Sequence, residues 1–174
     1  MTDVSSSSRA WCSAGRRGQV LFHETTFSSL RFEGSALFAQ HWLEASADRS
    51  VPLDVDWDRY AWLEEQKHEV CIAARMDGIL VGYAVYLWWN HLHYSGLKVA
   101  EADAFFLREE DRNGWVGIKL FRFAEEALRQ RGIEEVHQRV KLHVRPGRGR
   151  SDLGPLFEYL GYRPVETTYR KRIA

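Results

Sequence analysis

Cysteine is scarce in this chain: Cys12 and Cys71 are the only two among 174 residues. Two thiols cannot build a disulfide framework, so the composition predicts a reducing, cytoplasmic setting. An excess of charge is missing as well. The 24 basic and 24 acidic residues cancel to a formal net charge of zero. Bulk electrostatics therefore gives no reason to expect nucleic acid or an anionic membrane as a general partner. No apolar run approaches the roughly 20 residues of a membrane span. The N-terminal segment has no apolar core of a signal peptide, and no internal repeat is found. What remains is a soluble globular protein, 45% hydrophobic and 13% aromatic. Its length suits a single domain with a sizeable core.

Residues 1–18 are small and polar, with serines at Ser5 to Ser8 and the pair Arg16-Arg17. They read as a flexible lead-in, and residues 19–174 as the folded domain. Gln19 to Thr25 is expected to be a strand. Between Ser29 and Ala47 a helical stripe of Leu30, Leu37, Phe38, His41, Trp42 and Ala45 follows, with a break at Gly34. Asp56 or Asp58 is placed to cap a helix over Arg59 to Lys67. Val70 to Arg75 and Ile79 to Trp89 read as a hairpin around the favoured Asp77-Gly78 turn. Glu134 to Val144 has a strand's even spacing. The basic loop Arg145 to Arg150 leads to a short helix capped by Asp152, and a strand pair is expected over Tyr162 to Ile173.

The stretch Ala102 to Gly132 organises the rest. It starts as a strand at Phe105, Phe106 and Leu107. It ends as a helix, with Val116, Leu120, Phe123, Ala124, Ala127 and Leu128 at three- and four-residue steps. Between them, Arg112-Asn113-Gly114-Trp115-Val116-Gly117 turns from strand to helix. The unpaired N–H groups of the first helical turn and the positive end of its dipole suit an anion such as a pyrophosphate.

This layout resembles the coenzyme loop of the GNAT superfamily of N-acetyltransferases, whose pattern is Q/R-x-x-G-x-G/A. Arg112 and Gly117 fit its first and last positions; Trp115 stands where the middle glycine belongs, and Gly114 lies one residue early. Val81-Gly82-Tyr83 after the Asp-Gly turn is similar to the family's hairpin. Leu160-Gly161-Tyr162, inside the run Leu156 to Glu166, is similar to its C-terminal motif. The elements follow in the family's order from about residue 19 to the end. His93-Tyr94, Asp103 and the ending L-G-Y-R-P-V-E-T-x-Y also look like a group of phage or prophage members.

The resemblance implies an α/β (α+β) fold. A mixed, mostly antiparallel sheet of six to seven strands would be flanked by about four helices and splayed beside the coenzyme strand. It implies that acetyl-CoA is the cosubstrate, with no metal. The backbone of Phe106 and Leu107 would meet the pantetheine, and Arg112, Asn113, Gly114, Trp115, Val116 and Gly117 would cradle the pyrophosphate. Lys119 would add a cation. Leu107 N–H would serve as oxyanion donor, a contribution typically worth about 2.7–4 kcal/mol.

For the base, Glu101 and Asp103 are the informative residues, because charged carboxylates are disfavoured inside a strand and costly to bury unpaired. The two-residue repeat puts both on the face of Phe105 and Leu107, provided no bulge breaks the register. Pairing with an arginine or with the substrate ammonium is the alternative role for either. His93 and Tyr94 end the loop entering this strand and stand as further candidates. His91, His93 and Cys71 invite a metal reading, but a single H-x-H without a third spaced ligand does not make a site. The tyrosine that many members place four residues before the C-terminal glycine, to protonate the departing sulfur, is Phe157 here. Tyr159 lies roughly 200° further round a helix. A thiol with pKa near 8.5 still leaves tolerably as thiolate near neutral pH.

The reading is therefore acetyl transfer from acetyl-CoA to a primary amine, on a protein or a small molecule, by direct attack; a homodimer is compatible with it. The rival is a non-catalytic GNAT-like module that binds CoA or a protein partner, suggested by Trp115 and Phe157. A nucleic-acid binder using Arg145, Arg148 and Arg150 is a third class, opposed by the neutral charge.

Overall fold

The computed structural model describes residues 11–14, 18–46, 48, 50–112, 115–141, 144–145, 149–150 and 152–173. The chain packs as two compact units, Met1–Arg139 and Val140–Ala174. The first carries the sheet. Its strands are β1 (Trp11–Ala14), β2 (Gln19–Thr25), β3 (Glu69–Met76), β4 (Ile79–Asn90), β5 (Lys98–Leu107) and β6 (Glu135–His137). They lie side by side in chain order. Every neighbouring pair is antiparallel except β5 and β6, which run parallel. The helices of this unit are α1 (Phe27–Glu33), α2 (Ser35–Ala45), α3 (Trp57–Glu65) and α4 (Val116–Arg129).

Alternation along the strands sorts the core onto two faces. Phe22, Val70, Ile72, Ala74, Val81, Tyr86, Ala100 and Leu107 pack with Leu120, Ala124 and Leu128 of α4. Cys71, Ala73, Tyr83, Val85 and Phe106 pack instead with Phe27, Leu30 and Leu37 of α1 and α2. Covered on both sides, β4 reads as the near-continuous apolar run I-L-V-G-Y-A-V-Y. Local signals set the boundaries. Asp56 caps α3 by accepting from Arg59 N–H at 2.9 Å. Asp77 and Gly78, with φ of 50° and 80°, make the primed turn between β3 and β4. The chain breaks at Gly34 between α1 and α2, as its stripe suggested.

The second unit contains the two-stranded ladder of β7 (Val144–Arg145) and β8 (Gly149–Arg150), and α5 (Gly154–Tyr159). Asp152 Oδ1 accepts from Gly154 N–H at 2.8 Å at the start of that helix.

Several expectations are corrected. Among the described residues the body of the sheet is five strands, β2 to β6, extended at one edge by the four residues of β1, rather than six to seven; five α-helices stand there where about four were expected. β1 lies within the expected lead-in, where its ladder with β2 gives these residues an ordered place. The strand expected from Glu134 to Val144 keeps only Glu135–His137 in the sheet. Past that point Gln138 Nε2 donates to the Tyr86 hydroxyl at 2.8 Å and Arg139 pairs with Glu101, so side chains replace the ladder. Residues 142 and 143 lie outside the described set. Tyr162 to Ile173 forms no strand: Pro164 supplies no N–H, and Val165, Tyr169 and Ile173 are almost fully exposed, so apolar burial does not repay ordering them.

Gly82 shows how tightly β4 and β5 meet. A Cβ there would lie 2.7 Å from the Phe106 carbonyl oxygen and 2.8 Å from Leu107 Cδ1. Gly82→Ala is therefore expected to cost about 1–3 kcal/mol by overpacking. In a chain of this length that is about 2–4 °C in Tm per kcal/mol, readable by calorimetric unfolding.

Candidate active site

The site is built around the far half of β5. β6 pairs with it only at Val99, Ala100 and Glu101. From Ala102 to Leu107 the edge facing away from β4 has no strand partner among the described residues. Which groups line that edge follows from the ladder. Arg108 N–H donates to the Val81 carbonyl at 2.9 Å. In an antiparallel pair the bonded positions alternate, so Phe105 and Leu107 turn their N–H and C=O outward. The chain then makes a 3-10 turn (Glu109–Asp111), locked by the ion pair of Arg108 with buried Asp111 at 2.8 Å, and enters α4. The N-cap residue of α4, Trp115, makes no side-chain capping hydrogen bond. The helix's first N–H groups lack an intrahelical partner, and a Cβ on Gly117 would meet nothing within 4 Å. A strand edge without a strand partner thus runs into the N-terminus of α4, with open space beside Gly117.

The expected loop residues occupy different places. Asn113 and Gly114 lie outside the described residues, as does Arg148. Trp115 is the N-cap residue of α4 and more than half exposed. Val116, Gly117 and Lys119 form the first turn, and Lys119 has no ion pair among the described residues. Phe106 is buried and turns its own N–H and C=O toward β4, so it offers a ligand neither side chain nor free backbone groups. Arg112 points back into the protein. Its Nε donates to the Leu107 carbonyl at 2.7 Å, its Nη2 meets Glu44 of α2 at 2.8 Å, and its guanidinium lies 5.3 Å from the centre of the Phe106 ring. Here it ties the turn to β5 and α2.

The carboxylates follow a bulge. Val85 pairs with Ala104 and Tyr86 with Ala102, so Asp103 has no opposite number. The extra residue reverses the alternation. Ala100, Ala102, Phe105 and Leu107 face α4, whereas Glu101, Asp103, Ala104 and Phe106 face α1 to α3. The expectation that Glu101 and Asp103 share a face with Phe105 and Leu107 is corrected accordingly. Glu101 is ion-paired with Arg139. Asp103 Oδ2 accepts from the Tyr60 hydroxyl at 2.5 Å.

That face holds groups the sequence did not single out. Glu69 opposes Leu87, which opposes Glu101, so the two carboxylates stand in one row across the sheet. Glu69 Oε1 accepts from Phe27 N–H at 3.2 Å, and Glu64 Oε2 accepts from Ser28 N–H at 3.0 Å; both satisfy the start of α1. Glu69 Oε2 is buried and makes no hydrogen bond. Burial pushes this carboxyl above the usual range, against the pull of the Phe27 amide. Cys71 is on this face too, although it is remote from the loop in sequence. Burial first, and then the Glu69 charge, hold its thiol protonated, which disqualifies it as a nucleophile. His41 Nδ1 meets the Tyr83 hydroxyl at 2.8 Å and its ring stacks on Phe106.

His93 and Tyr94 are not brought to this place. They sit in the hairpin between β4 and β5, beyond Lys98, and the nine steps of the ten-residue strand put about 30 Å between Lys98 and Leu107. The rings of His91 and His93 lie near each other there, tilted by 54°, and no group of three metal-binding side chains occurs among the described residues. Tyr83 and Tyr86 are core. Trp88 is fixed by Nε1 donating to the Lys67 carbonyl at 2.8 Å. In the second unit Phe157 is buried against Tyr162, and Tyr159 is exposed.

A splayed strand followed by an uncapped helix turn is the arrangement that the sequence motif implied, and the sequence model of the acetyltransferase (GNAT) family matches residues 36–149. The chain belongs to that family. No curated protein matches it. Among solved structures, a ribosomal-protein-alanine N-acetyltransferase from Brucella melitensis biovar Abortus 2308 is similar at TM-score 0.65 and 15% identity, over 89% of this chain and 99% of that one. A transcriptional regulator from Bacillus halodurans C-125 is similar at 0.66 and 19%, over 88% and 99%. Glucosamine-6-phosphate N-acetyltransferase from Arabidopsis thaliana follows at 0.63 and 12%, over 89% and 99%. At these identities the likeness shows the GNAT fold alone. No helix among the described residues is long and apolar enough to cross a membrane.

If Arg112 is a structural tie, its loss must register in the protein alone. Arg112→Ala is expected to lower stability by about 1.5–3 kcal/mol, the range of a hydrogen bond to a charged group. Glu44→Gln should cost less, about 0.5–1 kcal/mol. The double variant should fall short of the sum, because the two share one interaction. Thermal unfolding of the four proteins measures this, and an unchanged Tm for Arg112→Ala would remove the tie.

Proposed function

We propose that this protein is an N-acetyltransferase that moves the acetyl group of acetyl-CoA to a primary amine by direct attack, with no acetyl-enzyme. The observation that supports this best is the open β5 edge leading into the uncapped first turn of α4. Its outward groups match what the cosubstrate offers. The amides of a pantetheine can pair with an unpartnered strand edge, as a further strand would. A pyrophosphate suits free helical N–H groups, and Gly117 leaves room for it. In this reading the outward groups of Phe105 and Leu107 meet the pantetheine, with Phe106 between them bonded to β4. Trp115, Val116 and Gly117 offer N–H groups to the pyrophosphate together with Asn113 and Gly114, and Lys119 adds charge. The outward N–H groups of Phe105 and Leu107 are the donors available to a developing oxyanion.

Asp103 or Glu101 takes the amine proton. Asp103 is favoured because it sits two residues beyond the last pair with β6, where the open edge begins. Glu101 is already neutralised by Arg139. The protonated Cys71 is consistent with direct attack. The acceptor is an amine on a small molecule or a protein. Similar structures are named for aminoglycosides, glucosamine 6-phosphate and ribosomal-protein alanine, and all present one. We place the GNAT domain at residues 19–174, with β1 added at the edge of its sheet, in the cytoplasm, of the phage or prophage type, acting without a metal or nucleic acid and compatible with a homodimer. The rival, a GNAT-like module that binds CoA or a protein partner without catalysis, keeps the same fold and loses the chemistry.

Calorimetric titration with acetyl-CoA tests the reading. Micromolar binding is expected, and Gly117→Trp should abolish it while leaving Tm within a few degrees of the parent, since the added side chain enters open space. A folded parent protein that binds no acetyl-CoA would refute the transferase reading and turn attention to protein partners.

A further inference from the structure

The bulge that frees Asp103 from the ladder also frees its side chain. A carboxylate on an exposed, unpaired strand residue has several rotamers, and a base must sit within hydrogen-bond reach of the proton it takes. Tyr60 removes that freedom. Its hydroxyl donates to Asp103 Oδ2 at 2.5 Å, across 43 residues of sequence. The phenol itself is held hard. Its ring stacks on Phe27 with centroids 3.8 Å apart and planes 6° from parallel. Phe27 packs in turn on Phe38 and Trp57. The two helices that carry these rings are pinned to each other, since Glu64 of α3 accepts from both Ser28 N–H and Ser28 Oγ of α1. Burial, and then the charge of Asp103, raise the affinity of the Tyr60 phenol for its proton, so it stays a donor to the carboxylate.

Resting on the transferase reading above, we propose that Tyr60 is a positioning residue. It fixes Asp103 by one oxygen, so that the other, Oδ1, is presented to an amine arriving on the α1–α3 face beside the open edge of β5. In the reaction the amine nitrogen forms the C–N bond as the C–S bond breaks. The proton lost from nitrogen passes to Asp103 Oδ1, and CoA leaves as the thiolate. Tyr60 keeps its own proton throughout. The assignment separates the two carboxylates: Asp103 is oriented by a neutral donor and keeps its charge available, while Glu101 is tied to a cation.

The test uses the full chain, acetyl-CoA, and three acceptors: an aminoglycoside, glucosamine 6-phosphate and a peptide beginning with alanine. Tyr60→Phe keeps the stacked ring and loses only the hydroxyl. With the best acceptor its kcat should fall about 10–100-fold, the worth of a hydrogen bond to a charged group, while KM for acetyl-CoA stays unchanged and the protein remains folded at the assay temperature. Asp103→Asn should fall about 10²–10⁴-fold. Placed on top of Asp103→Asn, the Tyr60 substitution should have no further effect, a result that a merely structural role would not give. Unchanged kcat in Tyr60→Phe beside an impaired Asp103→Asn overturns the role of Tyr60 and leaves Asp103 as base. Full activity in Asp103→Asn overturns the base assignment and Tyr60 with it. Acetyl-CoA binding without transfer to any of the three acceptors overturns the transferase reading itself.

Discussion

Every backbone amide must find a partner, and β5 is where this chain leaves that requirement half met. One edge of the strand is committed to β4 at every position but the bulged Asp103; the other is committed to β6 only from Val99 to Glu101. Proteins usually blunt an exposed edge with charge, proline or a cover, because a bare one recruits stray strands. This one is short, sits beside an uncapped helix, and has Arg112 on the Leu107 carbonyl. Those are the conditions for an edge that takes a ligand without pairing at large. The rest of the first unit holds it in place: Gly82 lets β4 approach closely, and Phe105 stacks on Phe121 of α4 at 4.0 Å.

The opposite face has a different logic. Four acidic side chains, Glu64, Glu69, Glu101 and Asp103, gather where α1 and α3 meet the sheet. Two of them have structural work, since they satisfy the first N–H groups of α1 and sit at the positive end of its dipole. A third is neutralised by Arg139. Asp103 is the one of the four that sits on the bulge, exposed and held by a phenol, so it is the carboxylate that a visitor meets there. The aromatic stack of Tyr60, Phe27 and Trp57 makes this arrangement stiff. Large rings with two side-chain torsions give much contact for little lost entropy.

How much of this the sequence disclosed depended on the range of the interaction. Local chemistry was legible: the break at Gly34, the Asp56 cap, the Asp77-Gly78 turn and the face of α4 each follow from a few adjacent residues. Serial order then pointed to the fold. The bulge at Asp103 was not legible, because it arises from how β4 and β5 register over ten residues, and one inserted position reverses the face of both carboxylates. Tyr60, Glu69 and Glu44 were invisible for a related reason. Each matters through a partner some 40 to 70 positions away, and each looks like an ordinary member of a strand or helix. Arg112 was read as a phosphate ligand because its motif position says so; its contacts with Leu107 and Glu44 are tertiary. Glu134 to Val144 failed because period-two spacing reports the propensity to be a strand and says nothing of whether a neighbour is there to pair with.

Trp115 bears most directly on whether the chain is a catalyst or a recognition module. A bulky residue at a glycine position argues against a phosphate cradle only if its side chain must fill the cradle. Here it is the N-cap residue of α4 and more than half exposed, so its bulk is directed largely to solvent. What a helix N-terminus offers an anion is backbone N–H, which tryptophan supplies as well as glycine does. The residue that must stay small is the one whose Cβ would intrude on the space in front of that turn, and this is Gly117. The substitution of Trp115 changes the rim of the site and keeps its floor. In the proposed transferase reading, an exposed indole at that rim is available to stack on the adenine of the cosubstrate.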